Sequence, residues 1–201
     1  MAQKTIDYYL APQSPWTYLG HARLVTMAKK FNAKINVKPI DLGKIFPVSG
    51  GLPLAQRAPQ RQAYRLLELD RFRQHLKLPL NPHPAFFPVA GDPAARIIIA
   101  TQAKHSWKAA LALTHTVLSG VWSEQRNIAD AATLQDMLRE CDLPESLYDE
   151  SQTAAVQAQY DQYTQEALEL NVFGSPSYVV KGELFWGQDR LDFVERKLAR
   201  D

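Results

Sequence analysis

The hydrophobic pattern of the chain changes from alternating to helical and back to alternating. Lys4 to Leu10 alternates with a period of two, which is typical of a strand with one buried face. Pro15 to Phe31 spaces its apolar residues by three and four positions, and Ala33 to Ile40 alternates once more. A strand, a helix and a strand in this order predict a βαβ unit, in which a right-handed crossover brings the two strands into parallel pairing.

The middle of the chain is predicted to be helical. Gly43 to Pro53 carries glycine and proline, so we expect it to form a loop. From about Ala58 the apolar residues keep a helical spacing for more than a hundred residues. One helix is expected to start at Asp92, as N-cap, and Pro93 and to run towards Gly120. A second is capped by Asp130 and carries Leu134, Met137, Leu138 and Cys141 on one face. A third covers roughly Glu145 to Asn171, either as one helix or with an interruption.

The strand pattern returns near the C-terminus. Ser177 to Val180 and Glu183 to Trp186 flank Lys181-Gly182, a two-residue turn suited to a hairpin. Gly187 ends the second of these strands. A last helix is expected over Asp189 to Arg200.

Both ends of the chain are therefore expected to build one sheet. The chain has 201 residues, a length suited to a single domain that carries an insertion. We expect an α/β core made of residues 1–42 and 172–201, with an all-helical insertion subdomain over residues 43–171. The 46% hydrophobic content is sufficient for a real core.

Composition narrows the classes of function. With 23 basic and 21 acidic residues the net charge is +2, too balanced for nucleic acid or a membrane surface to be the main partner. No segment approaches the length that spans a bilayer, and the first residues lack the apolar run of a signal peptide, so a cytoplasmic location is expected.

Thiol and metal chemistry by the chain's own residues is not expected. The single cysteine, Cys141, rules out an internal disulfide and a zinc site built from several thiolates. Its place on an apolar helix face indicates a buried structural thiol. The five histidines lack metal-ligand spacing, so no metal site is predicted.

Ser14 is the first candidate for chemistry. It lies between the first strand and the first helix, where it is expected to be the N-cap, with Pro15 in the first helical position. The start of a helix carries unpaired N–H groups and about half a positive charge, so it favours an anion beside it. A plain helix cap without further function is the competing interpretation of the same residues.

Ser175-Pro176 is the second candidate. A proline that opens a strand cannot donate to the sheet, and bonds that precede proline are where cis peptides occur. A cis bond here would turn the backbone groups of Ser175 outward, where an extended peptide ligand could pair with them. The local sequence does not decide between the cis and the trans form.

Together these segments resemble a known family. The layout of strand, helix, strand, helical insertion, proline, hairpin and helix is that of DsbA-like thioredoxin folds. The runs Ser14-Pro15-Trp16-Thr17-Tyr18-Leu19, Val172 to Val180 and Glu183 to Arg190 are similar to the 2-hydroxychromene-2-carboxylate isomerases, relatives of the kappa-class glutathione transferases. The resemblance covers nearly the whole chain, and its two end motifs are the specific part.

The resemblance implies a cis Pro176 and a glutathione site. It places Ser14 where thioredoxins carry their attacking cysteine, and Thr17 where the second cysteine would be. Two hydroxyls cannot form a disulfide, so thiol–disulfide exchange by these residues is excluded. The hydroxyl of Ser14 is instead expected to donate a hydrogen bond to the thiolate of bound glutathione, which makes it the candidate catalytic residue.

The same resemblance suggests further contacts with glutathione. It implies backbone pairing at Ser175, and contacts from Trp186, Gly187, Gln188 and Asp189 to the charged γ-glutamyl end. For Asp189, an N-cap of the last helix is the competing interpretation.

Basic and aromatic residues supply candidates for a substrate contact. Arg57, Arg61 and Arg65 recur every four positions and would form one stripe on a helix, for which a solvated face is the alternative. One of them, or Lys44, is a candidate to meet a substrate carboxylate, with Lys44 preferred. Trp16 could line an aromatic pocket beside the N-cap serine.

The resemblance therefore implies a glutathione-dependent isomerase that acts on a small aromatic carboxylate, through reversible addition of a thiolate to an unsaturated carbon. Relatives of this kind are dimers, so a homodimer is expected. Two alternatives stay open: a kappa-like transferase that leaves glutathione attached to an electrophile, and a thioredoxin-type binding protein without catalysis.

Overall fold

Four strands form one mixed sheet in the computed structural model, which describes residues 3–200. The strands are β1 (Thr5–Leu10), β2 (Lys34–Pro39), β3 (Ser177–Val180) and β4 (Glu183–Trp186), in the spatial order β2-β1-β3-β4. The pairing of β1 with β2 is parallel, as the βαβ pattern predicted, and Tyr8 faces Val37. On its other side β1 pairs antiparallel with β3, and β3 and β4 form the predicted hairpin.

Helices fill most of the chain between β2 and β3. Among the described residues the α-helices are α1 (Pro15–Lys30), α2 (Leu42–Ser49), α3 (Pro59–Leu76), α4 (Asp92–Lys104), α5 (Trp107–Trp122), α6 (Ala131–Glu140), α7 (Ser146–Ser151), α8 (Ala154–Glu169) and α9 (Leu191–Arg200). Within residues 3–200 no helix combines the length and the apolar character that crossing a membrane requires.

The central strand β1 is covered on both faces. Tyr8 and Tyr9 point to opposite sides of the sheet, and both are fully buried. Tyr8 belongs to the large core that includes Leu24 of α1 and Val117 of α5. Tyr9 packs in a second core with Ala167 of α8. The outer edge of β2 is covered as well, because the Gln102 side chain of α4 pairs with the N–H and the carbonyl oxygen of Val37 at 2.8 and 2.9 Å.

The expected loop over Gly43 to Pro53 is wrong in its first part, which is the helix α2. Asp41 caps this helix by accepting a hydrogen bond from Gly43 N at 2.7 Å, so the glycine lies in a stabilised first turn. Pro47 lies inside the helix. Gly50, at a φ of +76°, ends it in the left-handed conformation that glycine adopts without strain.

The expected single helix from Asp92 towards Gly120 is also corrected. It breaks after Lys104, and Ser106 starts a new helix by accepting a hydrogen bond from Ala109 N at 3.1 Å. Asp92 is not the N-cap, because it is the first helical residue and Gly91 takes the cap position. Its carboxylate instead accepts a hydrogen bond from the Tyr160 hydroxyl at 3.0 Å.

The other predicted helix starts agree with the structure in outline. Asp130 caps α6 through Thr133 N at 2.8 Å. The pattern over Glu145 to Asn171 is interrupted, with Thr153 capping the second of its two helices. The last helix is preceded by a single 3₁₀ turn over Gln188–Arg190, so the regular helix begins two residues later than Asp189.

Candidate active site

Ser14 caps α1, shortly after the C-terminal end of the central strand β1. Its backbone is extended, with φ −80° and ψ 125°, and its Oγ accepts a hydrogen bond from Thr17 N at 3.3 Å. Pro15 occupies the first helical position, where a missing N–H costs nothing. The predicted cap is therefore confirmed, and it places a hydroxyl at the positive end of the helix dipole.

The loop before β3 faces this hydroxyl. The peptide bond between Ser175 and Pro176 is cis, as the family resemblance implied. The Ser14 hydroxyl donates to the Ser175 carbonyl oxygen at 3.4 Å, which is long for an O–H···O bond, whose usual length is about 2.7–2.8 Å. Its proton is therefore weakly engaged, and a stronger acceptor beside the helix start could take it.

Thr17 and Ser175 hold the two segments together. Their hydroxyl oxygens lie 2.9 Å apart, and Ser175 Oγ also accepts a hydrogen bond from Ala11 N at 2.7 Å. The Thr17 hydroxyl thus ties α1 to the cis-proline loop. This role of the Thr17 side chain was not predicted; the available signal was a second hydroxyl three residues after the cap serine.

The segment after β4 approaches the same loop. Gly187 has a φ of +106° and donates its N–H to the Pro176 carbonyl oxygen at 2.9 Å. That conformation favours glycine, so the backbone can turn from β4 towards α9 at this point. The Asp189 carboxylate, which follows, is exposed and pairs with Arg190 at 2.7 Å.

Two predicted contacts of this segment differ in their surroundings. The Trp186 side chain is 51% exposed, and its ring centroid lies 4.7 Å from that of the exposed Phe173. Gln188 is 2% exposed, and Arg23 donates to both its backbone and its side-chain oxygen. The Gln188 side chain is therefore buried and held by Arg23, while Trp186 is open to solvent.

This arrangement is that of a known fold family. The sequence model of the DSBA-like thioredoxin domain matches residues 5–199. The chain belongs to this family. The predicted fold class, an α/β thioredoxin-like core of the DsbA type with a helical insertion, is thereby confirmed.

Named relatives in this family are isomerases and glutathione transferases. The chain is 29% identical to 2-hydroxychromene-2-carboxylate isomerase from Pseudomonas putida, over 97% of this chain and 94% of that protein. It is 26% identical to the enzyme of the same name from Sphingobium xenophagum, over 97% and 98%. The identity to human glutathione S-transferase kappa 1 is 22%, over 98% and 91%.

Solved structures agree with this relationship. A 2-hydroxychromene-2-carboxylate isomerase superposes with a TM-score of 0.81 at 25% identity, covering 98% of this chain and 95% of that one. The cytosolic disulfide reductase DsbM from Pseudomonas aeruginosa, solved with GSH, has a TM-score of 0.68 at 16% identity over 97% and 99%, a likeness of fold. The predicted resemblance to the isomerase family is confirmed.

The candidate substrate residues lie in α2, just before α3 and in the first turn of α3. Lys44 is exposed and forms an ion pair with Asp161 at 2.7 Å, which raises the pKa of the lysine and compensates its charge. Arg57 donates to the Leu52 carbonyl oxygen at 2.8 Å. Arg61 is exposed on α3. The structure thus gives Lys44, the preferred candidate, a partner of its own.

Trp16 and Cys141 have distinct surroundings. Trp16, in the first turn of α1, is partly buried and packs edge-on against Phe72 of α3 at a centroid distance of 6.2 Å. Cys141 is half-buried rather than fully buried, and its Sγ lies 3.3 Å from Thr116 Oγ1. Burial raises the pKa of this thiol, which makes it a poor nucleophile near neutral pH.

Proposed function

We propose that the protein is a glutathione-dependent cis–trans isomerase that acts on 2-hydroxychromene-2-carboxylate or a similar aromatic carboxylate in the catabolism of aromatic hydrocarbons. The observation that carries the proposal is the Ser14 hydroxyl at the start of α1, opposite the cis Pro176 loop and without a cysteine on either side. The name of the relatives supplies the reaction and the substrate class.

The residues present fit glutathione. The weak 3.4 Å bond from Ser14 to the Ser175 carbonyl leaves a donor that a thiolate could accept from at little cost. Lowering a thiol pKa from about 8.5 to about 7 requires about 2 kcal/mol. A helix end contributes about 0.3–1 kcal/mol and a hydrogen bond to a charged group about 1.5–3 kcal/mol, so the two together suffice.

Bound glutathione would supply a thiol whose anion adds reversibly to an unsaturated carbon, so that a double bond becomes a single bond able to rotate. Ser14 would hold the negative charge of the sulfur at the start of α1, through a hydrogen bond from its hydroxyl. Backbone groups of Ser175 and the ring of Pro176 orient the tripeptide. The carbon–sulfur bond would break again as the double bond re-forms in the trans geometry, so the thiol would be recovered and no net redox step would be needed.

Further residues of the proposed site bind rather than react. The segment from Trp186 to Asp189 is assigned to the γ-glutamyl end, with Gly187 and Gln188 setting its backbone path. Trp16 is assigned to contact the aromatic ring of the substrate. The basic side chains Lys44, Arg57 and Arg61 are the candidates to bind the substrate carboxylate. A cytoplasmic location and a homodimer stay predictions.

A kappa-like transferase is the second candidate, favoured by the full-length similarity to human glutathione S-transferase kappa 1. The two reactions differ in the fate of glutathione, because conjugation consumes the thiol and isomerisation returns it.

Incubation of the protein with glutathione and 2-hydroxychromene-2-carboxylate tests the proposal. We expect conversion to the trans isomer, followed by ultraviolet absorbance, with free thiol constant over many turnovers and no conversion when glutathione is omitted. Loss of one thiol for each substrate consumed would instead indicate the transferase. Glutathione uptake without conversion of this or related aromatic acids would indicate a binding protein.

A further inference from the structure

Arg65 of α3 is partly buried and forms no ion pair with an acidic side chain of residues 3–200. Its guanidinium carbon lies 5.3 Å from the ring centroid of Phe87 and 5.8 Å from that of Trp122. Its Nη2 is buried and has no hydrogen-bond acceptor within residues 3–200. The two ring contacts hold the guanidinium in place, while its Nη2 group still has N–H donors to offer.

Two later arginines of α3 are neutralised by acidic side chains one turn away, unlike Arg65. Arg71 pairs with Glu68 at 2.5 Å, and Arg73 pairs with Asp70 at 2.6 Å. The charge near Arg65 is positive, since it comes from Arg57. Burial, together with this charge, lowers the pKa of Arg65 to about 10. At neutral pH it is still protonated, so a buried positive charge lies here without a counter-ion among the described side chains.

The surroundings of Arg65 connect it to the start of α1. Phe87, next to the guanidinium, lies four residues before Gly91 in the chain. Gly91 in turn lies directly against the side chain of Gln13, the residue before Ser14. A Cβ at Gly91 would lie 2.1 Å from Gln13 Oε1. The contact between Trp16 of α1 and Phe72, two turns after Arg65 on the same face of α3, makes a second connection.

A second donor lies beside the guanidinium. Trp122 is fully buried, and its indole Nε1 donates to no residue of the described chain. A buried N–H without an acceptor is rare in folded proteins and needs a reason. A carboxylate offers two acceptor oxygens, which suits a guanidinium edge with an N–H group close to it.

We propose that Arg65 binds the carboxylate of the aromatic substrate, with Phe87 and Trp122 beside the guanidinium and Arg57 and Arg61 adding positive charge at the entrance. This inference rests on the proposed function and assigns a binding role to a residue within the arginine stripe. It replaces Lys44 as the preferred contact, because the Lys44 charge is already paired with Asp161.

The test uses the whole protein loaded with glutathione and two inert probes, 2-naphthoate and the neutral 2-naphthamide. Calorimetry of the wild type is expected to show a clear preference for the carboxylate. In Arg65→Met the affinity for 2-naphthoate should fall by about 30-fold, the loss of a hydrogen bond between charged groups, while the affinity for the amide stays constant. Arg65→Lys, which keeps the charge but not the planar fork, should lie between the two.

Arg71→Met is the matched control, since Arg71 lies on the same helix and is neutralised by Glu68. It should leave both affinities unchanged. Glutathione affinity and the melting temperature of Arg65→Met report whether the variant is folded; if it is not, Arg65→Lys carries the test. With 2-hydroxychromene-2-carboxylate as substrate, Arg65→Met should raise KM by the same factor and change kcat little.

The outcomes separate this inference from the proposed function. Equal 2-naphthoate affinity in the wild type and in Arg65→Met would overturn it, and so would a loss confined to glutathione, which would assign Arg65 to a carboxylate of the tripeptide. Absence of any preference for 2-naphthoate over the amide in the wild type would overturn it as well. If the preference is lost in Arg65→Met but the wild type catalyses no isomerisation, the inference stands and the proposed function fails.

Discussion

At the scale of single residues, two hydroxyl groups lie in the first turn of α1, where the family resemblance would place the two cysteines of a thioredoxin. Ser14 and Thr17 cannot be oxidised to a disulfide, and Thr17 instead contacts Ser175 across the site at 2.9 Å. The absence of disulfide chemistry at these two positions could be predicted from the sequence alone, because it depends only on residue type. The contact itself depends on the cis-proline loop lying against α1, a long-range packing that no local pattern reports.

His21, two turns into α1, is buried in its neutral form. Its Nε2 lies 3.1 Å from the Leu111 carbonyl oxygen, which can only accept, so that nitrogen carries the proton. Nδ1 then accepts from the Tyr8 hydroxyl at 3.4 Å. Burial, with a smaller contribution from the charge of His115, lowers the pKa of His21 to about 4.

This lowered pKa predicts an acid sensitivity of the fold. Between pH 6.5 and about 4 the unfolded chain binds a proton at His21 that the folded chain does not, so stability falls as pH falls through that window. Across the whole window the free energy of unfolding falls by about 3 kcal/mol. Urea unfolding of the wild type and of His21→Gln at several pH values should show a steeper pH slope for the wild type. Equal slopes would contradict the assignment.

At the scale of elements, α1 packs unusually close to the turn that precedes α9. A Cβ at Gly20 would lie 2.9 Å from the Tyr178 hydroxyl oxygen and 2.9 Å from Gln188 Cβ. The absence of a side chain at Gly20 therefore brings the helix that Ser14 caps against the segment assigned to glutathione. Neither the spacing of apolar residues nor the caps indicated this contact.

Gly20→Ala is therefore expected to destabilise the protein, although alanine favours helices. Helix propensity gains about 1 kcal/mol, and overpacking costs about 1–3 kcal/mol, so a net loss of about 1 kcal/mol is expected. Gly120→Ala in α5 is the matched control. There the one close contact of a Cβ is with the terminal methyl of Met137, which can move, and Arg126 lies at ordinary contact distance, so the propensity gain should prevail. Chemical denaturation measures both, and a stabilised Gly20→Ala would contradict the packing argument.

Elements with a single strong signal were predicted well, and those with conflicting signals were not. The capped helix at Asp130 and the hairpin around Lys181-Gly182 follow from local turn and cap chemistry. The helix over Leu42–Ser49 was missed because Gly43 and Pro47 suggest a loop, while the cap from Asp41 and the burial of Ile45 favour a helix.

At the scale of the whole molecule, segments near both ends of the chain form the sheet, and helices from the middle of the chain pack against it. The α4 helix packs against β2, and α5 packs against α1. The fold class could be predicted because both end motifs are specific. The surroundings of Arg65 could not, since they join α3 to Phe87 and Trp122 across long stretches of chain.

The most direct test of the central claim is the ionisation of bound glutathione. Ultraviolet absorbance of the thiolate, recorded against pH with the tripeptide saturating, should give a pKa of about 7 in the wild type and of about 8 in Ser14→Ala, which loses the hydrogen bond but keeps the helix end. Ser106→Ala, which removes the cap of α5 instead, should keep the wild-type value. The same pKa in the wild type and in Ser14→Ala, or no uptake of glutathione by the wild type, would contradict the account.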